Sequence, residues 1–267
     1  MNSSPRRARV LFSALLILLP VGCSTDQTSV GGGRSQPTIL VSAASDLRFA
    51  FQELGGIYER ETGTRVQFNF GSSGHLAQQI EQGAPVDVFA SANVDFVEDL
   101  TRKRLIIPET VAHYGRGSIV LWTREDSPLR IERIEDLLHP GLQRIAIANP
   151  AHAPYGLAAR QALQRAGIWE RAQPKLVLGE NVNQAFQYAQ TGNVDVAVIA
   201  LSLAIVAPGG RYRIVPQELH APIDQTLGVV SSTSNEPEAR RFSEFVNGPV
   251  GRPLLQRFGF VLPEEPR

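Results

Sequence analysis

A single cysteine, Cys23, stands in the 267 residues, so no disulfide can form within the chain and no reaction that needs two thiols is open to it. Neither sign of charge is in surplus: 26 basic and 26 acidic residues leave a formal net charge of zero, which offers nothing to the phosphate backbone of a nucleic acid. The five histidines, His75, His113, His139, His152 and His220, show no His-x-x-His or His-x-x-x-His spacing, so the sequence predicts no metal site. No G-x-S-x-G elbow surrounds Ser73, whose neighbour His75 makes the only adjacent Ser/His pair. Without a nucleophile set on a base, or two placed carboxylates, the chain does not read as an enzyme.

Long apolar runs are missing too, with one exception at the N-terminus. Arg6, Arg7 and Arg9 precede an apolar run over residues 10–19, and Pro20-Val21-Gly22-Cys23 follows. A basic start, an apolar centre too short to span a bilayer permanently, and a small residue before Cys23 predict a signal peptide over residues 1–22. The Gly22-Cys23 step resembles the lipobox of bacterial lipoproteins, which implies a lipidated Cys23 at the mature N-terminus; a signal peptide cut elsewhere is the alternative. Loss of residues 1–22 removes three arginines and no acids, leaving 23 basic against 26 acidic residues, or −3. Residues 23–36 are polar and glycine-rich, a flexible tether.

The whole chain is 43% hydrophobic and 19% charged, the balance of a soluble globular body large enough for two domains. Short apolar runs alternate with amphipathic stretches. Strands are predicted at 38–41, 64–70, 86–90, 117–123, 144–148, 175–178, 194–199, 212–215 and 227–231. Helices follow Asp46, Ser73 and Asn93, and are predicted at 155–166, 182–190, 236–247 and 251–258. This alternation argues for α/β architecture with mostly parallel sheets flanked by helices. The pattern restarts near residue 120, which divides the body into lobe 1 (37–117 and 228–267) and lobe 2 (118–227), joined by crossings near 115–120 and 223–230. Asp87 lies in the middle of a short apolar strand, where an unpaired carboxylate is costly to bury, and is expected to accept hydrogen bonds near the cleft.

The central stretch is FGSSGHLAQQIEQGAPVDVFASA, residues 70–92. A strand runs into Gly71-Ser72-Ser73-Gly74 and then into a helical pattern. The first N–H groups of a helix lack intrahelical partners and carry the positive end of its dipole, so a serine hydroxyl beside them completes a neutral donor set for an anion. Either serine is equally an ordinary N-cap. Similar helix starts stand at Ser45-Asp46, at Asn149 through Gly156, and at Glu180-Asn181-Val182. In open α/β sheets the loops after the strands form the ligand crevice, so four such loops on two facing lobes could surround one small guest. His75 and His152 lie in these loops, where a protonated ring would strengthen anion binding; solvated loop histidines are the plainer reading.

Ala43-Ala44-Ser45, Gly71-Ser72-Ser73-Gly74, GAPVDVFASA over 83–92, NPAHAPYG over 149–156 and Glu180-Asn181-Val182 together resemble the periplasmic molybdate-binding proteins of ABC transporters, over roughly residues 38–260. The resemblance implies a two-lobed type II solute-binding fold that closes on molybdate or tungstate and delivers it to a permease and its ATPase. It implies a monomer without cofactors, outside the cytoplasm and anchored through Cys23. It places ligand contacts on Ser45, with Asp46 beside it, Ser73, Tyr155 and Val182. The serines would give hydroxyl and backbone donors, and Tyr155 and Val182 backbone N–H groups. Some members use a tyrosine hydroxyl where this chain has Ala200, so that contact is not carried over. Hydrogen bonds to a charged group contribute about 1.5 to 3 kcal/mol each, and a cage without acceptors rejects hydrogen phosphate, whose proton needs one. The Asp46 carboxylate is therefore expected to cap its helix or face water. Another tetrahedral oxyanion, sulfate or phosphate, is the alternative guest, and a sensory or interaction module on the same fold is the alternative class.

Overall fold

The computed structural model describes residues 36–263; the expected signal peptide, Cys23 and all but the last residue of the expected tether lie outside them. None of the described helices is long and apolar enough to cross a membrane. The first half follows the predicted alternation. Strand β1 (Thr38–Ala44) leads through a single 3-10 turn into helix α1 (Arg48–Thr62), whose Ala50, Phe51, Leu54 and Tyr58 recur at helical spacing and are buried. Strand β2 (Arg65–Gly71) alternates, with Arg65, Gln67 and Asn69 exposed and Val66, Phe68 and Phe70 turned inward, as an edge strand covered on one face should. Helix α2 (Ser73–Glu81), strand β3 (Val88–Ser91), buried at every residue, helix α3 (Val94–Arg102) and strand β4 (Ala112–Gly117) complete this half.

The chain then crosses into strand β5 (Ile119–Arg124). Strand β6 (Ile145–Ala148), helix α4 (Pro154–Arg165), the single turn α5 (Trp169–Ala172), strand β7 (Leu176–Gly179), helix α6 (Val182–Gln190), strand β8 (Val196–Ala200), the short α7 (Leu201–Ala204) and strand β9 (Gly210–Ile214) follow. Strand β10 (Ile223–Val229) returns to the first half, and helices α8 (Glu236–Val246) and α9 (Gly251–Arg257) close the fold.

Two five-stranded sheets result, ordered β2-β1-β3-β10-β4 and β7-β6-β8-β5-β9. In each, one strand opposes the other four: β10 is antiparallel to both β3 and β4, and β5 to both β8 and β9. The remaining pairings, β1 with β2 and β3, and β6 with β7 and β8, are parallel. The opposed strand is in each sheet the one that has just arrived from the other half. The sheets therefore share one plan, although the two halves do not align as a repeat in sequence.

Some expectations shift. Strand β4 carries His113, Gly115, Arg116 and Gly117, too polar and glycine-rich to stand out as apolar alternation. Strand β10 lies wholly in the first sheet from Ile223, so the return crossing precedes residue 223 and lobe 1 resumes before 228. Asp87 is a structural acceptor, but at the end of β3 away from the loops. One oxygen takes the Leu40 N–H at 2.7 Å, and the other takes the Thr233 hydroxyl and Asn235 Nδ2.

The first core is aromatic. Phe242 packs edge-on to Phe51 and Tyr58, with ring centroids 6.1 and 5.3 Å apart. The second is aliphatic around Trp122 and Phe186, and it takes in Ala44 and Ala92 from the ends of the first lobe. The lobes therefore meet over packed apolar atoms where β1 and β3 end.

Candidate functional site

Four chain turns converge there. Ser45 opens the turn after β1, and Ser73 is the first residue of α2 behind the extended Ser72. Tyr155 follows Pro154 at the start of α4, where proline costs no hydrogen bond. Val182 begins α6 behind Asn181, whose side chain caps the helix by accepting the Gln184 N–H at 3.0 Å. The structure brings all five expected residues, Ser45, Asp46, Ser73, Tyr155 and Val182, around one small cavity of about 10 Å³, room for about one water molecule. They are 3%, 1%, 0%, 2% and 3% exposed, so no guest reaches them unless the lobes part. Among the described residues lining the cavity there is no lysine or arginine.

The local bonding makes both serines donors. The Ser73 Oγ accepts the Ala92 N–H at 3.0 Å, and the Ser45 Oγ accepts the Asn183 N–H across the cleft at 3.4 Å. With the oxygen used as acceptor, each hydroxyl proton is left to give. The N–H groups of Ser73, Tyr155 and Val182 stand in the first turns of their helices, ahead of any intrahelical acceptor. The combination is a set of uncharged hydrogens aimed from both lobes, suited to an anion of a few oxygen atoms.

Asp46 departs from expectation. Its carboxylate neither caps a helix nor reaches water: Oδ2 accepts from the Tyr155 hydroxyl at 3.0 Å and from Gln225 Nε2 at 2.9 Å, while Oδ1 is buried with no partner among the described residues. Tyr155 supplies the physical reason, since its hydroxyl, carried in from the other lobe, needs a buried acceptor. Burial raises the Asp46 carboxyl to about 6, against the lowering effect of its bonds from Gln225 and Tyr155. Burial, and then the Asp46 charge, push the Tyr155 and Tyr114 hydroxyls well above the usual tyrosine range, so both stay protonated.

The sequence reading missed the rest of this network. Tyr114 donates to Gln225 Oε1 at 2.7 Å, and the Ser202 hydroxyl donates to the Asp46 carbonyl at 2.8 Å, a further bond between the lobes. Gly117 is there for space: a Cβ on it would lie 2.0 Å from the Tyr155 hydroxyl. A buried amide in an apolar strand is the one signal that could have pointed to Gln225, and it disappears when that strand is begun at 227.

Around the cavity the histidines also come together. Ser72 Oγ is 2.8 Å from His152 Nδ1, and the Gly74 N–H donates to the His152 carbonyl at 3.0 Å. The His75 and His152 rings stack with centroids 3.7 Å apart, and His75 Nδ1 lies 3.8 Å from a Glu180 oxygen. Burial, then the neighbouring His75, lower the His152 imidazole below its usual value, with Glu180 opposing. Spacing along the chain predicted no metal site, yet the fold places ligand atoms of His75, His152 and Glu180 within 4.8 Å of one another. Residues 77 apart in sequence are invisible to a spacing rule.

Known proteins share this architecture. Residues 39–261 match the family of bacterial extracellular solute-binding proteins. The molybdate-binding protein ModA of Rhodobacter capsulatus is 32% identical over 84% of this chain and 88% of its own length. The substrate-binding lipoprotein YvgL of Bacillus subtilis, described as a component of an ABC transporter, is 30% identical over 91% and 94%. Among solved structures, the periplasmic molybdate-binding protein of Azotobacter vinelandii superposes with a TM-score of 0.81 at 31% identity, covering 85% of this chain and all of that one. The chain belongs to the bacterial extracellular solute-binding proteins.

Proposed function

We propose that the protein captures molybdate outside the cytoplasm and presents it to the permease and ATPase of an ABC transporter, and that Ser45, Asp46, Ser73, Tyr155 and Val182 hold the anion. The observation that carries this reading is the cavity itself: four turns from two lobes, every expected residue buried, and donors without a fixed cation. Relatives with molybdate in their names, at about this identity over most of the chain, support the choice of guest. Tungstate, with the same charge and shape, belongs to the same reading. The closed cavity, about 10 Å³, has room for about one water, so a four-oxygen anion is held only with the walls moved apart from their position here. Because the site is sealed, binding requires opening and reclosure, and a guest touching both lobes stabilises the closed state that a permease reads.

In this reading the protein acts as a monomer, uses no cofactor and does no catalysis. Cys23 carries the lipid that holds it at the membrane. One observation favours a second guest. The unpartnered Asp46 Oδ1 is an acceptor that could take the proton of hydrogen phosphate. Titration calorimetry of the purified protein with molybdate, tungstate, sulfate and phosphate decides: molybdate and tungstate binding tightest supports the proposal, and phosphate binding tighter than molybdate overturns it.

A further inference from the structure

We infer that His75, His152 and Glu180 form a binding site for a divalent transition cation of the zinc type, bridging the two lobes at the rim of the anion cavity. Two imidazoles and a carboxylate are the donor set of open zinc sites, which leave a fourth position to water. The donors come from both sides of the cleft. His75 rides on α2 of the first lobe, whereas His152 precedes α4 and Glu180 precedes α6 in the second.

The surroundings prepare the site. His152 Nδ1 lies 2.8 Å from the Ser72 oxygen; in the tautomer that donates Nδ1–H to it, Nε2 keeps its lone pair for a metal, the outer-shell arrangement that orients a ligand. The backbone positions are held close by the Gly74 N–H to His152 carbonyl bond. Only glycine permits that approach, because a Cβ at position 74 would lie 2.7 Å from the carbonyl oxygen. Ligand atoms within 4.8 Å of one another must close to about 3.3 Å around a tetrahedral ion with bonds near 2 Å. The stacked rings therefore turn out of parallel. The His75 and Glu180 side chains are 45% and 67% exposed and free to rotate; His152 is held and serves as the fixed ligand.

An ion there ties the lobes together beside the cavity that Ser72 also lines. It binds best when the cleft is shut, so by reciprocity it tightens the hold on the oxyanion; as a clasp that must break before the lobes part, it also slows release. This coupling rests on the proposed function; the site itself does not.

Zinc titration of the full mature chain tests the site without any anion. One zinc per chain with Kd at or below about 10 µM is expected, weakened at least about tenfold in His75→Ala and in Glu180→Gln, since each removes one of three protein ligands. Cobalt substitution should give the visible bands of a four-coordinate ion in the parent and not in His75→Ala. Stopped-flow release of molybdate, with and without saturating zinc, then tests the coupling: slower release in the parent and no change in His75→Ala is expected. Absence of stoichiometric zinc binding, or zinc affinity unchanged in both variants, overturns the site whatever the protein does with molybdate. Zinc binding that leaves molybdate release unaltered overturns the bridge.

Discussion

Replacing Asp46 by asparagine should change the pH dependence of this protein in two measurable ways. The carboxyl is 1% exposed and burial raises it from the ordinary 3.8 to about 6, although Gln225 and Tyr155 donate to it. Its other close titratable neighbours are Tyr155 and Tyr114, which stay neutral. An acid whose folded value is raised favours folding below its unfolded value, and that contribution is lost as pH rises through the folded one. The interval from 3.8 to about 6 corresponds to on the order of 3 kcal/mol. Urea denaturation of the guest-free protein should therefore show the parent losing up to that much between pH 4 and pH 8 relative to Asp46→Asn. The asparagine keeps a carbonyl oxygen for Tyr155 and Gln225 and removes the buried charge. The same charge opposes a dianion, so capture of molybdate should draw a proton onto Asp46. Above pH 6 the affinity of the parent should fall by up to roughly tenfold per pH unit, and calorimetry in two buffers of different ionisation heat should reveal uptake of up to one proton. Asp46→Asn should bind without uptake. Parallel denaturation curves for the two proteins, or proton uptake that survives in the variant, would refute the reasoning.

Ser73→Ala removes a hydroxyl proposed to donate to the anion and leaves the Ala92 N–H, now bonded at 3.0 Å, without an acceptor. Molybdate affinity should fall by about 1.5 to 3 kcal/mol, and stability by about 1 to 3 kcal/mol, read by calorimetry and thermal melting. Gly117→Ala drives a methyl group to 2.0 Å from the Tyr155 hydroxyl. It should destabilise the protein by about 1 to 3 kcal/mol and weaken binding through the displaced Tyr155 turn; unchanged melting would show that the network tolerates the intrusion.

Much of this architecture was legible in the sequence, and what escaped did so for physical reasons. The residues at helix starts were readable because strand, small polar residue and helix is a local pattern: Val182 opens α6 where periodicity put it. Strand β4 was not readable, because its polar residues and glycines break the apolar alternation, Gly117 making room for the Tyr155 hydroxyl rather than serving the sheet. The place of Asp46 was misjudged because a helix-start aspartate usually caps its own helix, whereas here a tyrosine and a glutamine, 109 and 179 positions away, claim its oxygen. The histidine cluster is tertiary altogether. Chain order carries what neighbours do to each other, and it is silent on partners that meet only when two lobes shut.

Strand β10 has a consequence for how the molecule comes into being. It sits between β3 and β4, so β4 has no attachment to its own sheet until Ile223–Val229 has been made. A ribosome must emit more than four-fifths of the polypeptide before the first sheet can be completed, and pairings over such separations are slow to form. The nascent chain thus stays unfinished for most of its synthesis, a condition compatible with threading through an export channel before folding, and any truncation short of residue 223 strands two edges at once.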